Sequence, residues 1–130
     1  MHLITIKDET IGGDILNEIK IQIDRESIKI KDLIASRVTA EVNAYNDRLP
    51  EYYNGLVKPS DSEQTLNGYK MKKRKKVDAE KQVYIALEAF QANGFFILVD
   101  DEQCEDLEQE VLVNENTSIS FLKLTPLVGG

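Results

Sequence analysis

The sequence predicts an α+β fold in which a mixed sheet of four to five strands packs against one helix, with an inserted loop and a second helix. Three observations lead to this class. Short runs of two-residue alternation open and close the chain, a stretch of three- and four-residue spacing follows the first runs, and a continuous apolar run begins near residue 95. At 130 residues the chain is expected to form a single domain, residues 1–130.

The first third of the chain predicts a strand hairpin followed by a helix. The runs 3–7 and 15–23 alternate apolar and polar residues, and a Gly-Gly pair between them marks a turn. From about residue 31 to residue 46 the apolar positions change to helical spacing and form one stripe. The members of this stripe are Ile30, Leu33, Ile34, Val38, Val42 and Tyr45. The helix is therefore expected to lie across the hairpin.

Residues 47–94 are expected to form an insertion, made of a basic loop (47–77) and a helix (about 78–93). The loop contains several turn dipeptides and no strong periodicity, so it is predicted to be irregular and peripheral to the core. It ends in six cations within the seven residues 70–76. Such a run fits a solvated loop, an acidic partner or nucleic acid. Asp78 is the expected N-cap of the second helix.

The last third predicts strands separated by an acidic segment. Residues 95–99 form a continuous apolar run, which is typical of a central strand buried on both faces. Residues 100–115 contain eight carboxylates and neither Lys nor Arg. Because the calcium-loop pattern is absent, a solvated acidic face is expected there rather than a metal site. A final strand is expected over residues 118–124.

Composition limits the functional classes. The net charge of −7 argues against a nucleic-acid binder, and no run is long and apolar enough for a membrane span. The N-terminus lacks the pattern of a secretory signal, so a cytoplasmic protein is expected. The single cysteine, Cys104, and the single histidine, His2, are expected to be incidental residues. We therefore expect no metal, no cofactor and no catalytic residue.

The chain ends in a segment suited to enter a narrow channel. Pro126 cannot donate to a sheet ladder, so residues 125–130 are expected to leave the sheet as a flexible tail. Glycine has no Cβ, so Gly129 and Gly130 fit where larger residues do not and present a carboxylate to a partner enzyme. A frayed terminus is the other interpretation of these residues.

Three segments resemble the MoaD and ThiS sulfur carriers of the ubiquitin-like β-grasp family. Residues 29–34 (Lys-Ile-Lys-Asp-Leu-Ile) resemble their helix entry, and residues 95–103 resemble their strand leading into an acidic turn. Residues 124–130 (Leu-Thr-Pro-Leu-Val-Gly-Gly) are similar to their Gly-Gly terminus. The resemblance covers residues 1–46 and 95–130, and the insertion has no counterpart in the minimal carriers. It implies a β-grasp sheet whose first and last strands are adjacent and parallel.

The resemblance also implies a function, in which the chain is a carrier and not an enzyme. An ATP-dependent activating enzyme would adenylate the carboxylate of Gly130, and a sulfur nucleophile would convert the adenylate to a thiocarboxylate. The sulfur would then pass to a small molecule bound by a sulfur-accepting synthase subunit. The tail residues that the activating enzyme would recognise are Pro126, Leu127, Val128 and Gly129.

Two alternatives remain open beside the sulfur carrier. One is a ubiquitin-like modifier that is conjugated to a target protein through Gly130, and the other is a non-covalent β-grasp binding module in which the glycines are incidental. Asp101, Glu102 and Glu105 are candidate docking residues for the activating enzyme. Their acidic segment flanks the strand that leads into the tail, where it would steer a basic groove of the partner.

Overall fold

The computed structural model of the chain describes residues 2–73 and 75–123. This part of the chain has the predicted α+β class, with a five-stranded mixed sheet, two smaller sheets and two helices. Its elements follow in the order β1 (His2–Thr10), β2 (Ile15–Ile23), β3 (Ser27–Lys29), α1 (Ile30–Arg48), β4 (Tyr52–Tyr53), β5 (Ser62–Thr65), β6 (Gly68–Met71), α2 (Ala79–Gln91), β7 (Phe95–Val99), β8 (Glu102–Cys104), β9 (Glu110–Leu112) and β10 (Ile119–Lys123).

The five-stranded sheet has the order β2-β1-β10-β7-β8. The first two strands form the predicted antiparallel hairpin, and β10 lies at the centre between β1 and β7. β1 and β10 are parallel, with Ile6 opposite Ile119 and Thr10 opposite Lys123. The prediction that the first and last strands are adjacent and parallel is therefore confirmed.

The helix α1 packs its apolar stripe against one face of this sheet. All six residues of the predicted stripe are buried, and the helix extends beyond the predicted 31–46 at both ends. The strand residues that share this core follow the two-residue period: Ile4 and Ile6 on β1, and Ile119 and Phe121 on β10, are each at most 1% exposed. Complete burial of such a side chain contributes about 1.5–3 kcal/mol, so this layer is the main apolar core.

The continuous apolar sequence of β7 predicted a strand that is buried on both faces. The structure corrects this prediction, because β7 is buried on one face only. Phe95, Ile97 and Val99 point into the core, whereas Phe96 and Leu98 are half-buried. The two-layer architecture explains the difference, because the described helices leave the other face of the sheet uncovered where these two side chains lie. The central strand is β10, with β8 outside β7.

The prediction that residues 47–77 are irregular and peripheral is wrong. Three short strands in this segment form an antiparallel sheet in the order β4-β6-β5. Four apolar side chains of residues 47–77 are buried in the core: Tyr53, Leu56, Val57 and Met71. Strands of two to four residues are too short to show a two-residue period between turn signals, which is why the sequence did not reveal them.

The second helix, α2, follows the insertion sheet and packs against α1. It matches the predicted 78–93 closely, and the Asp78 side chain accepts a hydrogen bond from Lys81 N at 3.3 Å as the expected N-cap. Its Phe90 packs against Phe95 with ring centroids 5.7 Å apart. The side chain of Gln82 donates to Val57 O at 3.2 Å. The helix therefore covers the insertion as well as the sheet.

The strands β3 and β9 pair in a small antiparallel sheet at the N-terminal end of α1. There, the backbone N–H groups of Ile30 and Lys31 donate to the carbonyls of Gln109 and Leu107, at 2.9 and 3.0 Å. These bonds satisfy two of the donors that a helix start leaves unpaired. Neither helix in the described part of the chain combines the length and the apolar character needed to cross a membrane.

Candidate functional site

The central strand β10 leads directly into the segment that was predicted to form the Gly-Gly tail. Its last residue is Lys123, which lies opposite Thr10 on β1 and Phe95 on β7. The predicted tail residues lie outside the described residues: Pro126, Leu127, Val128, Gly129 and Gly130. The described part of the candidate site is the end of β10 at Lys123, which is called the base of the tail below.

A buried ion pair joins α1 to β1 close to this base. Arg37 Nη2 donates to Oδ2 of Asp8 at 2.6 Å, and Nη1 donates to Oδ1 of the same carboxylate. Arg37 is 0% exposed and Asp8 is 2% exposed. The guanidinium also lies over the ring of Phe121, with its carbon 4.6 Å from the ring centroid. The bidentate geometry offsets part of the cost of removing both charges from water.

Glu41 connects this ion pair to the insertion. Its Oε1 accepts hydrogen bonds from Arg37 Nε and from the backbone N–H of Leu56, both at 3.3 Å. Burial raises the pKa of Glu41 above the usual carboxyl value, and the positive charge of Arg37 opposes this shift. The carboxylate therefore links α1 to the loop that follows β4.

Lys123 completes the group from β10. Its Nζ donates to the carbonyl oxygen of Gly55 at 3.2 Å and lies 3.9 Å from Oδ2 of Asp8. Burial lowers the pKa of Lys123, and the charge of Asp8 opposes this shift. Three buried residues, Asp8, Arg37 and Glu41, and the half-buried Lys123 are together called the buried charge cluster below. The cluster joins β1, α1, β10 and the insertion where β10 ends.

A cleft of about 810 Å³ opens beside Lys123. One wall comes from the β1–β2 hairpin, and the other comes from the loop after β4 and the β5–β6 hairpin. The lining combines Asp8 and Lys123 with amide and hydroxyl groups and with two exposed leucines, Leu16 and Leu66. This volume lies within the range of about 300–1,000 Å³ that is typical of binding clefts.

Two glycines shape the wall that the insertion contributes to the cleft. A Cβ on Gly55 would lie 2.3 Å from Cε1 of Tyr53, and a Cβ on Gly68 would lie 2.2 Å from Oδ1 of Asn54. Gly68 also has a φ of +121°, which favours glycine. Tyr53 in turn packs edge-on against Tyr45 of α1, with ring centroids 5.3 Å apart. The insertion therefore fits closely against α1.

The acidic candidate docking residues lie at the opposite end of β10 from the tail. All three are exposed: Asp101, Glu102 and Glu105. They are in or near the turn between β7 and β8, where Asp100 Oδ1 accepts a hydrogen bond from Ser118 N at 2.9 Å. Ser118 immediately precedes β10, and Lys123 is about 16 Å further along that strand. The structure therefore does not bring these acidic residues to the base of the tail.

Cys104 and His2, which were expected to be incidental residues, lie in β8 and β1. Cys104 ends β8 and is 3% exposed, and burial raises the pKa of its thiol; both properties oppose a role as a nucleophile. His2 begins β1 and is half-buried. Within residues 2–73 and 75–123, no three His, Cys, Asp or Glu side chains form a group that could hold a metal ion.

The buried charge cluster was not identified from the sequence, although a signal was present. Arg37 and Glu41 interrupt the apolar stripe of the α1 sequence at helical spacing. Asp8 follows the inward-facing Ile6 at two-residue spacing on the first strand. Lys123 follows the inward-facing Phe121 at the same spacing on the last strand. A charged residue at a core-facing position indicates a buried partner, because an unpaired charge there is strongly destabilising.

Comparisons with protein-family models, with curated proteins and with solved structures gave no significant match to this chain. The functional interpretation therefore depends on the sequence, the sheet order and the geometry at the end of β10.

Proposed function

We propose that this chain is a carrier protein with a ubiquitin-like β-grasp fold, whose Gly130 carboxylate is activated by a partner enzyme and converted to a thiocarboxylate for sulfur transfer. The observation that carries the proposal is the sheet order β2-β1-β10-β7-β8, with β1 and β10 parallel and α1 across one face. This is the order expected of a β-grasp. The same central strand leads to the Gly-Gly segment.

The proposed chemistry begins with activation, because a carboxylate is a poor acyl donor. The activating enzyme would let an oxygen of the Gly130 carboxylate attack the α-phosphorus of ATP, with pyrophosphate leaving. Hydrosulfide supplied by the partner would then attack the acyl carbon, forming a C–S bond as the C–O bond to AMP breaks, and loss of the sulfur-bound proton would leave the Gly130 thiocarboxylate. Since activation consumes ATP, the proposal is of a cytoplasmic protein.

The role of this chain's own residues is to provide a rigid base for the reacting segment. β10 is hydrogen-bonded on both sides, and Phe121 within it is 0% exposed. Lys123 is held by the carbonyl of Gly55 and by its ionic contact with Asp8. A partner that binds the segment after Lys123 would therefore engage an end that is fixed relative to the core.

Trapping with hydroxylamine tests the activation step. The purified protein is incubated with ATP, hydroxylamine and an extract of its source cells, and its C-terminal peptide is analysed by mass spectrometry. Hydroxylamine attacks an acyl-adenylate or a thioester, so we expect an ATP-dependent hydroxamate at Gly130. Absence of the hydroxamate with active extract would contradict the proposal, as would a chain that continues beyond Gly130.

Variants of the terminal segment sharpen this test. Deletion of Gly130 and the substitution Gly129→Val should both abolish trapping, because a channel shaped for glycine excludes a side chain. Leu112→Ala is the control, since it shortens a side chain that is 76% exposed at the opposite end of the molecule. All three variants should keep the melting temperature of the parent protein. If the Gly129→Val variant is still trapped, the partner does not have a channel that admits only glycine at this position.

The same incubation without hydroxylamine separates the carrier from a ubiquitin-like modifier. A modifier would form a thioester and then an isopeptide bond between Gly130 and a lysine of a target protein, so the extract would yield branched peptides. A sulfur carrier would yield the thiocarboxylate and no branched peptide.

A further inference from the structure

The two ends of α1 carry surfaces of opposite charge. At its N-terminal end lies the acidic segment, held by the bonds from Ile30 and Lys31 to residues 107–109. At its C-terminal end the side-chain amide of Asn46 donates to Val77 O at 3.0 Å, and its Oδ1 accepts from Val77 N at 2.8 Å. Ile30 and Asn46 are about 24 Å apart along a helix. The molecule is therefore polarised along α1.

The lysine face lies at the C-terminal end of α1. We define it by five exposed residues: Lys70, Lys72, Lys73, Lys75 and Lys76. Lys70 lies 3.8 Å from a carboxylate oxygen of Glu51, in a pair that is exposed on both sides. Among the described residues, no carboxylate lies within 4.0 Å of the other four ammonium groups. Most of this charge is therefore free to interact with another molecule.

The base of the tail lies on the same side of the molecule as the lysine face. The loop at Gly55 and Leu56 contacts both Lys123 of β10 and Glu41 in the C-terminal half of α1. Strand β6 begins at Gly68 in the wall of the cleft and leads into the lysine face. From Gly68 to Lys72 the chain advances about 14 Å. A protein that contacts the end of β10 can therefore also reach the lysine face.

We infer that the lysine face, together with the adjoining cleft, is the docking surface for the enzyme that activates the tail, and that this enzyme presents an acidic surface there. The inference rests on the proposed function and names the chemistry of its partner. It replaces the acidic end at Asp101 as the expected site of docking, because that end lies beside Ser118 at the start of β10, whereas the insertion contacts Lys123 at the end of this strand.

The composition of the face favours a protein over nucleic acid as its partner. A smaller pocket of about 240 Å³ at the face is lined by lysines and also by Asp61 and Asp78. Carboxylates among the lysines fit the mixed charge of a protein surface better than the uniform charge of a phosphate backbone. The neutral amide groups of the cleft are suited to hydrogen bonds with peptide groups.

Two charge-reversal variants test the inference through the initial rate of hydroxylamine trapping. The first replaces Lys72, Lys73, Lys75 and Lys76 by Glu, and the second replaces Asp101, Glu102 and Glu105 by Lys. We expect the first to slow trapping about tenfold or more at low salt, with the difference shrinking as salt is added. The second should leave the rate unchanged. A slower rate in the second variant only would overturn the inference and leave the carrier function standing.

A binding experiment tests the face independently of activation. Backbone amide signals of the full chain are followed by NMR during titration with poly-glutamate and, separately, with a single-stranded oligonucleotide of equal charge. We expect poly-glutamate to shift the lysine face and the cleft glycines, Gly55 and Gly68, at low salt. No shift at these positions, or tighter binding of the oligonucleotide, would overturn the inference even if trapping at Gly130 succeeds.

Discussion

Two groups of charged side chains stabilise this fold, and they differ in their exposure to water. In the buried charge cluster, Arg37 and Asp8 are almost completely enclosed. In the exposed group, Glu108 accepts hydrogen bonds from Lys29 at 3.1 Å and from Lys31 at 2.9 Å, and more than a third of each side chain is accessible. Similar distances therefore have different energetic consequences. Water screens the exposed group, whereas every buried charge depends on its protein partners.

One carboxylate from each group, Glu41 and Glu108, shows a pKa shift, and the two shifts have opposite directions. Burial raises the pKa of Glu41, whereas hydrogen bonds from Lys31 and Lys29 lower the pKa of Glu108. Loss of water is thus the largest cause of the pKa shift of Glu41, whereas hydrogen bonds from lysines are the largest cause of the pKa shift of Glu108. Buried ion pairs join elements that are distant in sequence, and in this fold they fix the insertion next to the end of β10.

The largest effect is expected from breaking the buried pair. Arg37→Met leaves Asp8 and Glu41 with Lys123 as the one remaining cation of the cluster, and loss of a buried partner typically costs about 3–5 kcal/mol of unfolding free energy. Urea unfolding measures this change. The double variant Asp8→Leu with Arg37→Met should be less destabilised than Arg37→Met alone, since Glu41 and Lys123 then still balance in charge. If Arg37→Met lowers the unfolding free energy by less than about 1 kcal/mol, the buried pair contributes no more than an exposed one, which would contradict the difference between the two groups.

A smaller effect is expected where the insertion packs beside the cluster. Gly55→Ala places a methyl group against the ring of Tyr53, and overpacking of this kind costs about 1–3 kcal/mol. Gly12→Ala is the matched control, because its nearest neighbour would be Thr10 Oγ1 at 3.8 Å. Thermal or urea unfolding of both variants gives the difference. Equal stability would show that the insertion adapts freely at this position.

The sign of the pH dependence distinguishes the two groups further. Because the folded-state pKa of Glu41 is raised, its favourable contribution is complete below the ordinary carboxyl pKa and is lost as the pH rises through the raised value. Glu41→Gln keeps an acceptor for Leu56 N and does not titrate. We therefore expect the stability of this variant relative to the parent to increase as the pH rises through that window, measured by urea unfolding from about pH 4 to 8.

The smallest effect is expected from the exposed group, which also serves as the pH control. The folded-state pKa of Glu108 is lowered, so its contribution is present above the ordinary carboxyl pKa and is lost as the pH falls through the lowered value. Glu108→Gln should change stability little at neutral pH, and added salt should remove the difference. A pH dependence with the same sign as that of Glu41→Gln would contradict the assignment of the two shifts.

Long periodic segments were predictable from the sequence because one face of each is buried. The stripe of α1, the first hairpin and the N-cap at Asp78 are all observed close to their predicted positions. The parallel pairing of β1 and β10 was expected from the family resemblance rather than from periodicity. The insertion sheet could not be predicted, since its strands have two to four residues, and the loop after β4 is held by contacts with α1 and α2.

The candidate site was predictable only in part. The Gly-Gly segment is visible because its chemistry is local to a few residues, but the base that supports it is assembled from residues 8, 37, 41, 55 and 123. Only the fold brings these positions together. The acidic segment could be recognised from its composition. Its distance from Lys123 could not be predicted, because that distance depends on the direction of β10 in the sheet.

The state of the C-terminal peptide in cells tests the carrier function most directly. The untagged protein is purified from its source cells, and the peptide containing Gly129 and Gly130 is analysed by mass spectrometry with and without an alkylating reagent that captures thiocarboxylates. Alkylation distinguishes a sulfur-for-oxygen exchange at Gly130 from the addition of one oxygen atom, which changes the mass by a similar amount. The account predicts an alkylatable thiocarboxylate at Gly130. A terminus that is always an unmodified carboxylate, or that forms only isopeptide bonds to other proteins, would contradict it.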